Sequence, residues 1–302
     1  MKSSAYQIIA GLGILALGIF IGGTTSRNED AYFKLATSNS TVPVPLPKSM
    51  EVFGEQIPMD DPIVKESLSR ELYSNTYWHS NTLLMLKRRT RWEASIRTLL
   101  REEGVPEDLV YLMAAESAFQ PTALSPSGAA GLWQFMPATG KEYGLQVDGQ
   151  IDERYQLKKS TLAAVKYLKS AYEKTGSWFL AAASYNMGLN GVLRQMKRQN
   201  ENDYFRMAWN EETGRYAFRI AALKLILEHP EHYGYQVPPE ELWRAERSRT
   251  VVVDSTVSNW GKWAQREGLS YKEFKRWNPW VRDYHFSNTS GQRIEIELPL
   301  KP

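Results

Sequence analysis

A chain of 302 residues with 42% hydrophobic and 12% aromatic residues has enough apolar side chain to bury a core, which excludes disorder throughout and suggests one larger or two smaller folded units. Lys plus Arg at 37 against Asp plus Glu at 34 gives a formal charge of +3, too balanced for a nucleic-acid footprint, so no nucleic-acid partner is expected; the mild basicity suits an anionic wall or membrane surface. The absence of cysteine excludes a disulfide framework, thiolate metal ligation and a lipidated-cysteine anchor.

At the N-terminus Lys2 precedes an apolar stretch from Ala5 to Gly23 that is free of charge until Arg27. At ~1.5 Å per residue it could nearly cross a bilayer core of ~30 Å, so residues 1–26 read as a signal anchor or a cleaved signal peptide. No Ala-x-Ala site comes after it, which favours the anchor and a membrane-attached or exported protein. Residues 27–60 are rich in Ser, Thr, Asn and Pro, and Val42-Pro43-Val44-Pro45-Leu46-Pro47 favours an extended conformation; this region is expected to be a linker.

Asp61-Pro62 has the form of an N-cap followed by proline at the first helical position, with Ile63, Leu68, Leu72 and Tyr73 as an apolar stripe. Further helical patterns occupy residues 83–103, 106–116, 161–174, 178–187 and 215–227. Strand patterns are confined to 250–253 and 293–298, where Ile294, Ile296 and Leu298 alternate with charged residues. The expected architecture is mainly α, with a helical domain over 61–240 and a small α+β module over 248–302. Pro238-Pro239 falls between them, and no long-period repeat suggests a solenoid.

The helix that ends in Leu109-Val110-Tyr111-Leu112-Met113-Ala114-Ala115-Glu116 is built for burial. Leu109, Leu112 or Met113, and Glu116 follow i, i+3 or i+4, i+7 spacing, so the carboxylate shares a face with core residues. Desolvation disfavours the ionised form and raises a carboxyl pKa, as a proton donor working near neutrality requires. An isolated Glu is more often a helix-end cap or ion-pair partner. The neighbouring sequence shifts that weight: a small-residue turn, Ser125-Pro126-Ser127-Gly128-Ala129-Ala130-Gly131, runs directly into Leu132-Trp133-Gln134-Phe135-Met136-Pro137. Taken alone, Trp133, Phe135 and Met136 read as core and Gln134 as a surface amide.

Together, Glu116-Ser117-Ala118-Phe119, Ser125, the run from Gly128 to Thr139, and Ala183-Ser184-Tyr185-Asn186-Met187-Gly188 resemble the signature of lytic transglycosylase family 1, the transglycosylase SLT domain. Asp152-Glu153-Arg154, Ser160-Thr161-Leu162-Ala163-Ala164 and Glu212-Thr213-Gly214-Arg215-Tyr216 match, in order, the membrane-bound D-type branch of that family, over about 99–227. The resemblance implies a goose-lysozyme-like helical domain with a glycan cleft and Glu116 as its single catalytic acid and base. It implies Ser125, Gln134, Met136, Tyr185 and Asn186 lining the cleft, Tyr216 beside the glutamate, and neither metal nor cofactor. The implied partner is the peptidoglycan glycan strand, cut between N-acetylmuramic acid and N-acetylglucosamine without water to leave 1,6-anhydro ends.

Ser184 before Tyr185, and Met187 where alanine is usual, depart from the family pattern and imply altered packing rather than lost activity. Glu142, Asp148 and Asp152 could fold near Glu116, which keeps a hydrolytic lysozyme open on the same fold, beside a non-catalytic wall-binding protein. Asp152 with Arg154 reads most simply as a structural salt bridge.

Residues 250–300 resemble a degenerate LysM module, on Thr256-Val257, Ala264, Gly268-Leu269-Ser270, Phe274, Asn278-Pro279 and Ile294-Glu295-Ile296. The usual opening Gly-Asp-Thr appears as Val253-Asp254-Ser255-Thr256. The resemblance implies binding to N-acetylglucosamine-containing glycans, and Trp260, Trp263, Trp277 and Trp280 could either stack on sugars or form the module's core. His229 and His232 flank Pro230-Glu231 in a metal-like arrangement, which reads as a surface loop.

Overall fold

The first described helix, α1 (Pro62–Thr76), starts where Asp61, in extended conformation, accepts a hydrogen bond from the Ile63 backbone N–H at 2.7 Å. Its buried ridge is Val64, Leu68 and Leu72, an i, i+4, i+8 row, which leaves the expected stripe residues Ile63 and Tyr73 outside it on opposite flanks, at 74% and 38% exposure. The computed structural model describes residues 43–300. The expected signal anchor, residues 1–26, lies outside the described residues, among which no helix is long and apolar enough to cross a membrane.

Helix α2 (His79–Glu102) begins earlier than the apolar pattern suggests. It is followed by α3 (Leu109–Ser117), in which every residue from Leu109 to Ala114 is buried, and which stops where Ala118 and Phe119 take left-handed backbone angles of φ 50° and 58°. Helices α4 (Pro137–Glu142), α5 (Leu157–Thr175), α6 (Trp178–Met187), α7 (Leu189–Gln199) and α8 (Glu211–Glu228) complete the helical part. Helix α8 packs against α1, α3 and α6, and α5 bridges α2 and α6, so α3 ends inside a layer of helices.

Residues 50–59, expected within the linker, belong to this core. Strands β1 (Met50–Val52) and β2 (Glu55–Ile57) pair antiparallel. The turn Phe53-Gly54 has φ 62° and 80°, the two positive angles that let a two-residue hairpin follow the twist of its strands. Met50, Val52, Phe53, Ile57 and Met59 are buried in the main core, and the Phe53 N–H donates to Asp108 Oδ2 at 2.9 Å. Two three-residue strands inside a polar, proline-rich stretch carry too little periodicity to be seen in sequence.

The C-terminal module runs β3 (Ser248–Val253), α9 (Trp260–Arg266), α10 (Tyr271–Trp277), β4 (Ile294–Pro299), with β3 and β4 antiparallel and Val253 opposite Ile294. Ser270 and Glu273 form a reciprocal capping box at the start of α10. Trp260 and Trp280 are buried in the module's core, with Trp260 stacked on Phe274 at 5.0 Å, while Trp263 and Trp277 are half-buried. Packing therefore accounts for Trp260 and Trp280, and neither offers a face to a sugar. Ala130, Ile151 and Tyr155 of the helical part belong to the same buried cluster.

If residues 50–57 are structural, Ile57→Ala should lower unfolding free energy by about 2–5 kcal/mol in urea titrations, as truncation of a buried aliphatic does. A change within experimental error would return this stretch to the status of a spacer.

Candidate active site

Glu116 occupies the last turn of the buried α3. Burial of its carboxyl, the largest effect, pushes its pKa up to about 7; the Tyr216 hydroxyl, which donates to Glu116 Oε1, and the Arg219 guanidinium pull it down, while the Glu212 charge pushes it up. The side chain nevertheless keeps partial solvent access, which a proton donor to an external substrate needs. Burial, reinforced by the Glu116 charge, also holds the Tyr185 and Tyr216 phenols well above their usual range, so both stay neutral donors beside the carboxyl.

Arg219 and Arg215, on the same helix as Tyr216, are anchored by the buried Glu71, with Arg215 Nε at 2.6 Å and Arg219 Nε at 3.6 Å from its carboxylate. Asn186 is tied to the start of α8: its Nδ2 donates to Glu212 Oε1 at 3.2 Å and its Oδ1 accepts from Thr213 Oγ1 at 2.8 Å. Tyr185 donates to the Trp133 carbonyl at 2.8 Å and meets Phe135 and Tyr167 edge-to-face. Tyr185 thus ties α6 to the Gly-rich loop.

That loop is stiffened from within. Ser125 Oγ accepts from the Ala129 N–H at 2.9 Å, and Gln134, at φ 49°, donates through Nε2 to the Gly131 carbonyl at 2.8 Å. Both polar groups, expected to face the cleft, are committed at least partly to the loop's own shape; Met136, 42% exposed at the head of α4, is accessible. Gly131 has φ 79°, and a Cβ there would sit 1.9 Å from the Arg154 carbonyl oxygen, so no side chain fits.

Arg154 lies against the loop. Its Nε and Nη2 form a fork on Asp152 Oδ1 and Oδ2 at 2.9 and 2.7 Å, and Nη1 donates to the carbonyls of Gly128 and Phe135 at 2.7 and 2.9 Å. The expected structural salt bridge is present, and Asp152 has both carboxylate oxygens engaged by it. Asp148 accepts from Gln146, Gln150 and Ile151 and is likewise structural, whereas Glu142 is exposed. The acid whose charge reaches Glu116 is Glu212. Glu212 and Thr213 sit in the matched motif with no role of their own implied there, and Arg219 and Glu71 carry no local signal, Glu71 lying on a distant helix.

His229, Glu231 and His232 bring one ligand atom each within 4.8 Å of one another, all on exposed side chains.

Two measurements test this electrostatic picture. Tyr216→Phe removes a hydrogen bond that favours the carboxylate, so the Glu116 pKa should rise above about 7 in a carbon-13 NMR titration; a lower value would contradict the arrangement. Because the folded-state pKa lies above the ordinary 4.5, the contribution of Glu116 to stability is complete below the ordinary value and lost as pH rises through about 7. Glu116→Gln should therefore be more stable than the parent at about pH 8, by on the order of 1–3 kcal/mol, and the two should converge below about pH 4.5.

Residues 93–207 match the family described as the transglycosylase SLT domain, and residues 249–302 match the soluble lytic transglycosylase C-terminal LysM-like domain. Membrane-bound lytic murein transglycosylase D of Escherichia coli (strain K12) is 31% identical over 245 residues, which cover 80% of this chain and 52% of that protein. Membrane-bound lytic murein transglycosylase C of Histophilus somni (strain 2336) is 28% identical over 182 residues, covering 56% of this chain and 48% of its own. The chain thus spans about half the length of these curated relatives. A lytic transglycosylase Slt structure from Pseudomonas aeruginosa aligns with 51% of this chain and 26% of its own at a TM-score of 0.36 and 21% identity, too loosely to transfer any residue. This chain carries a transglycosylase SLT domain followed by a LysM-like domain, and is a homologue of membrane-bound lytic murein transglycosylase D.

Proposed function

We propose that this protein is a peptidoglycan lytic transglycosylase of the cell envelope, with Glu116 as general acid and then general base. The observation that carries the reading is a carboxyl held near neutrality by burial, with a neutral tyrosine hydroxyl donating to it. Protonated Glu116 donates to the oxygen linking N-acetylmuramic acid to N-acetylglucosamine; the bond from C1 to that oxygen breaks with oxocarbenium character, and the leaving strand departs with the proton. The Glu116 carboxylate then takes the proton from the muramic C6 hydroxyl as O6 closes on C1, leaving a 1,6-anhydro end. Water takes no part, so a second carboxylate is not needed, unlike the pairs ~5 Å or ~6.5–9.5 Å apart in hydrolytic glycosidases. As Glu116 loses its proton the Tyr216 bond strengthens, which stabilises the carboxylate between the two steps.

The apolar stretch from Ala5 to Gly23 supports attachment to, or export across, a membrane, with the catalytic domain outside the cytoplasm. The loop around Met136 and the amide of Asn186 form the substrate-binding wall of this reading. A hydrolytic alternative keeps one specific observation in its favour: Glu212 is close enough to raise the Glu116 pKa and rests on Asn186.

The full chain incubated with purified peptidoglycan should release anhydro-muramyl ends, identified by mass spectrometry, and Glu116→Gln should lower turnover at least ~100-fold while binding persists. Reducing ends that depend on Glu212 would assign hydrolysis, and binding without cleavage would assign a wall-binding protein. In the parent, kcat/KM should fall as pH rises above about 7, because the acid form is lost.

A further inference from the structure

We propose that the C-terminal module is a positioning element of the active site: it braces the loop from Gly128 to Met136 through the segment Gln150–Tyr155, and Arg154 is the residue that transmits the support. The proposal rests on the transglycosylase reading for its effect on turnover, not for the brace itself.

The first link joins the module to the segment. Ile151 pairs with Val281 as an antiparallel bridge, the Asp152 N–H donates to the Trp280 carbonyl at 2.8 Å, and the Arg282 N–H donates to the Gln150 carbonyl at 2.7 Å. These are backbone bonds, and they fix the register of the module against the segment. Around them Ser287 donates its N–H to Gln150 Oε1 at 2.7 Å, and the Arg282 guanidinium lies 4.7 Å from the centre of the Tyr155 ring.

The second link joins the segment to the loop. Asp152, whose backbone the module holds, orients Arg154 by a two-point fork; Arg154 in turn holds the carbonyls of Gly128 and Phe135, at either side of the turn. A planar guanidinium bonded at Nε, Nη1 and Nη2 has little freedom left, so it carries displacement rather than absorbing it. Ala130, within the loop, is fully buried in the cluster that contains Trp260 and Phe274 of the module. The third link is Tyr185, whose hydroxyl donates to the Trp133 carbonyl and whose ring meets Phe135 edge-to-face, tying the loop to α6, which Asn186 in turn ties to the helix bearing Tyr216.

The connector before the module is also fastened. The Trp243 N–H donates to the Lys87 carbonyl at 3.1 Å, and the Trp243 carbonyl accepts from Thr90 Oγ1 at 3.0 Å, both partners on α2. A tethered glycan-binding module would need neither this fastening nor a buried alanine of the catalytic loop in its core.

The test is hydrogen exchange by mass spectrometry on the full chain, together with steady-state cleavage of peptidoglycan. Arg282→Ala with Gln150→Ala removes the two side-chain contacts that flank the backbone bonds, the acceptor for the Ser287 N–H and the cation over Tyr155. Exchange across 128–136 should quicken at least about tenfold, with α3 and α8 unchanged. kcat should fall several-fold at near-constant KM, with the same alkaline limb, and Arg282→Lys, which keeps a cation over Tyr155, should restore much of the loss. Arg154→Lys, which keeps the charge but loses the fork, should loosen 128–136 while leaving 280–287 protected. Unchanged exchange across 128–136 in either variant, or an increase shared by α3 and α8, would overturn the proposal. If the parent releases no anhydro ends, the transglycosylase reading fails, and the exchange result still decides the brace.

Discussion

A carboxyl group holds its proton near neutrality only where burial disfavours its charged form, and that requirement runs through the structure around Glu116. The α3 helix is buried throughout from Leu109 to Ala114, and its last turn places Glu116 in a low-dielectric setting. The cost of burying that carboxyl is limited by one donor, Tyr216, and by a guanidinium, Arg219, held by Glu71. Because α8 carries Tyr216 and Arg219 and also packs on α1, α3 and α6, the electrostatic environment of the acid and the core of the domain depend on the same helix.

The Gly-rich loop is organised by different physics. A loop rich in Ser, Gly and Ala has little apolar area with which to fix itself, so its shape comes from hydrogen bonds: Ser125 and Gln134 inside it, Tyr185 on the helical side, and Arg154 against it. Gly131 allows Arg154 to approach that closely. Ser125, Gln134 and Tyr185 are therefore part of the scaffold, and substituting them will alter the shape of the loop.

Local chemistry is the part of this structure that could be read from the sequence. Asp61-Pro62 announced the start of α1, the apolar run before Glu116 announced a desolvated acid, and Asp152 with Arg154 announced an ion pair; each depends on residues close together in the chain. The hairpin at 50–57 was hidden because its strands are three residues long and its burial is decided by distant helices. Helix α7 was hidden despite Leu189, Val192, Leu193 and Met196 at helical spacing, because Gly188 and Gly191 punctuate its start. Ile63 and Tyr73 were misplaced by about one residue around α1, which turns a side chain by ~100° and moves it out of the core. The roles of Glu71 and Arg219 were not legible, since only the tertiary fold brings them to the acid.

The hairpin has a kinetic side. Glu55 accepts from the Ser177 hydroxyl at 2.7 Å and from the Trp178 N–H, so the first turn of α6, the helix that bears Tyr185 and Asn186, is finished by a strand more than a hundred residues earlier in the chain. Closing so long a loop must precede the gain from the contact. The packing of α1 on α8 makes the same demand, so this domain carries more sequence-distant contact than its helix content suggests and is expected to fold more slowly than a bundle whose helices meet only their neighbours in the chain.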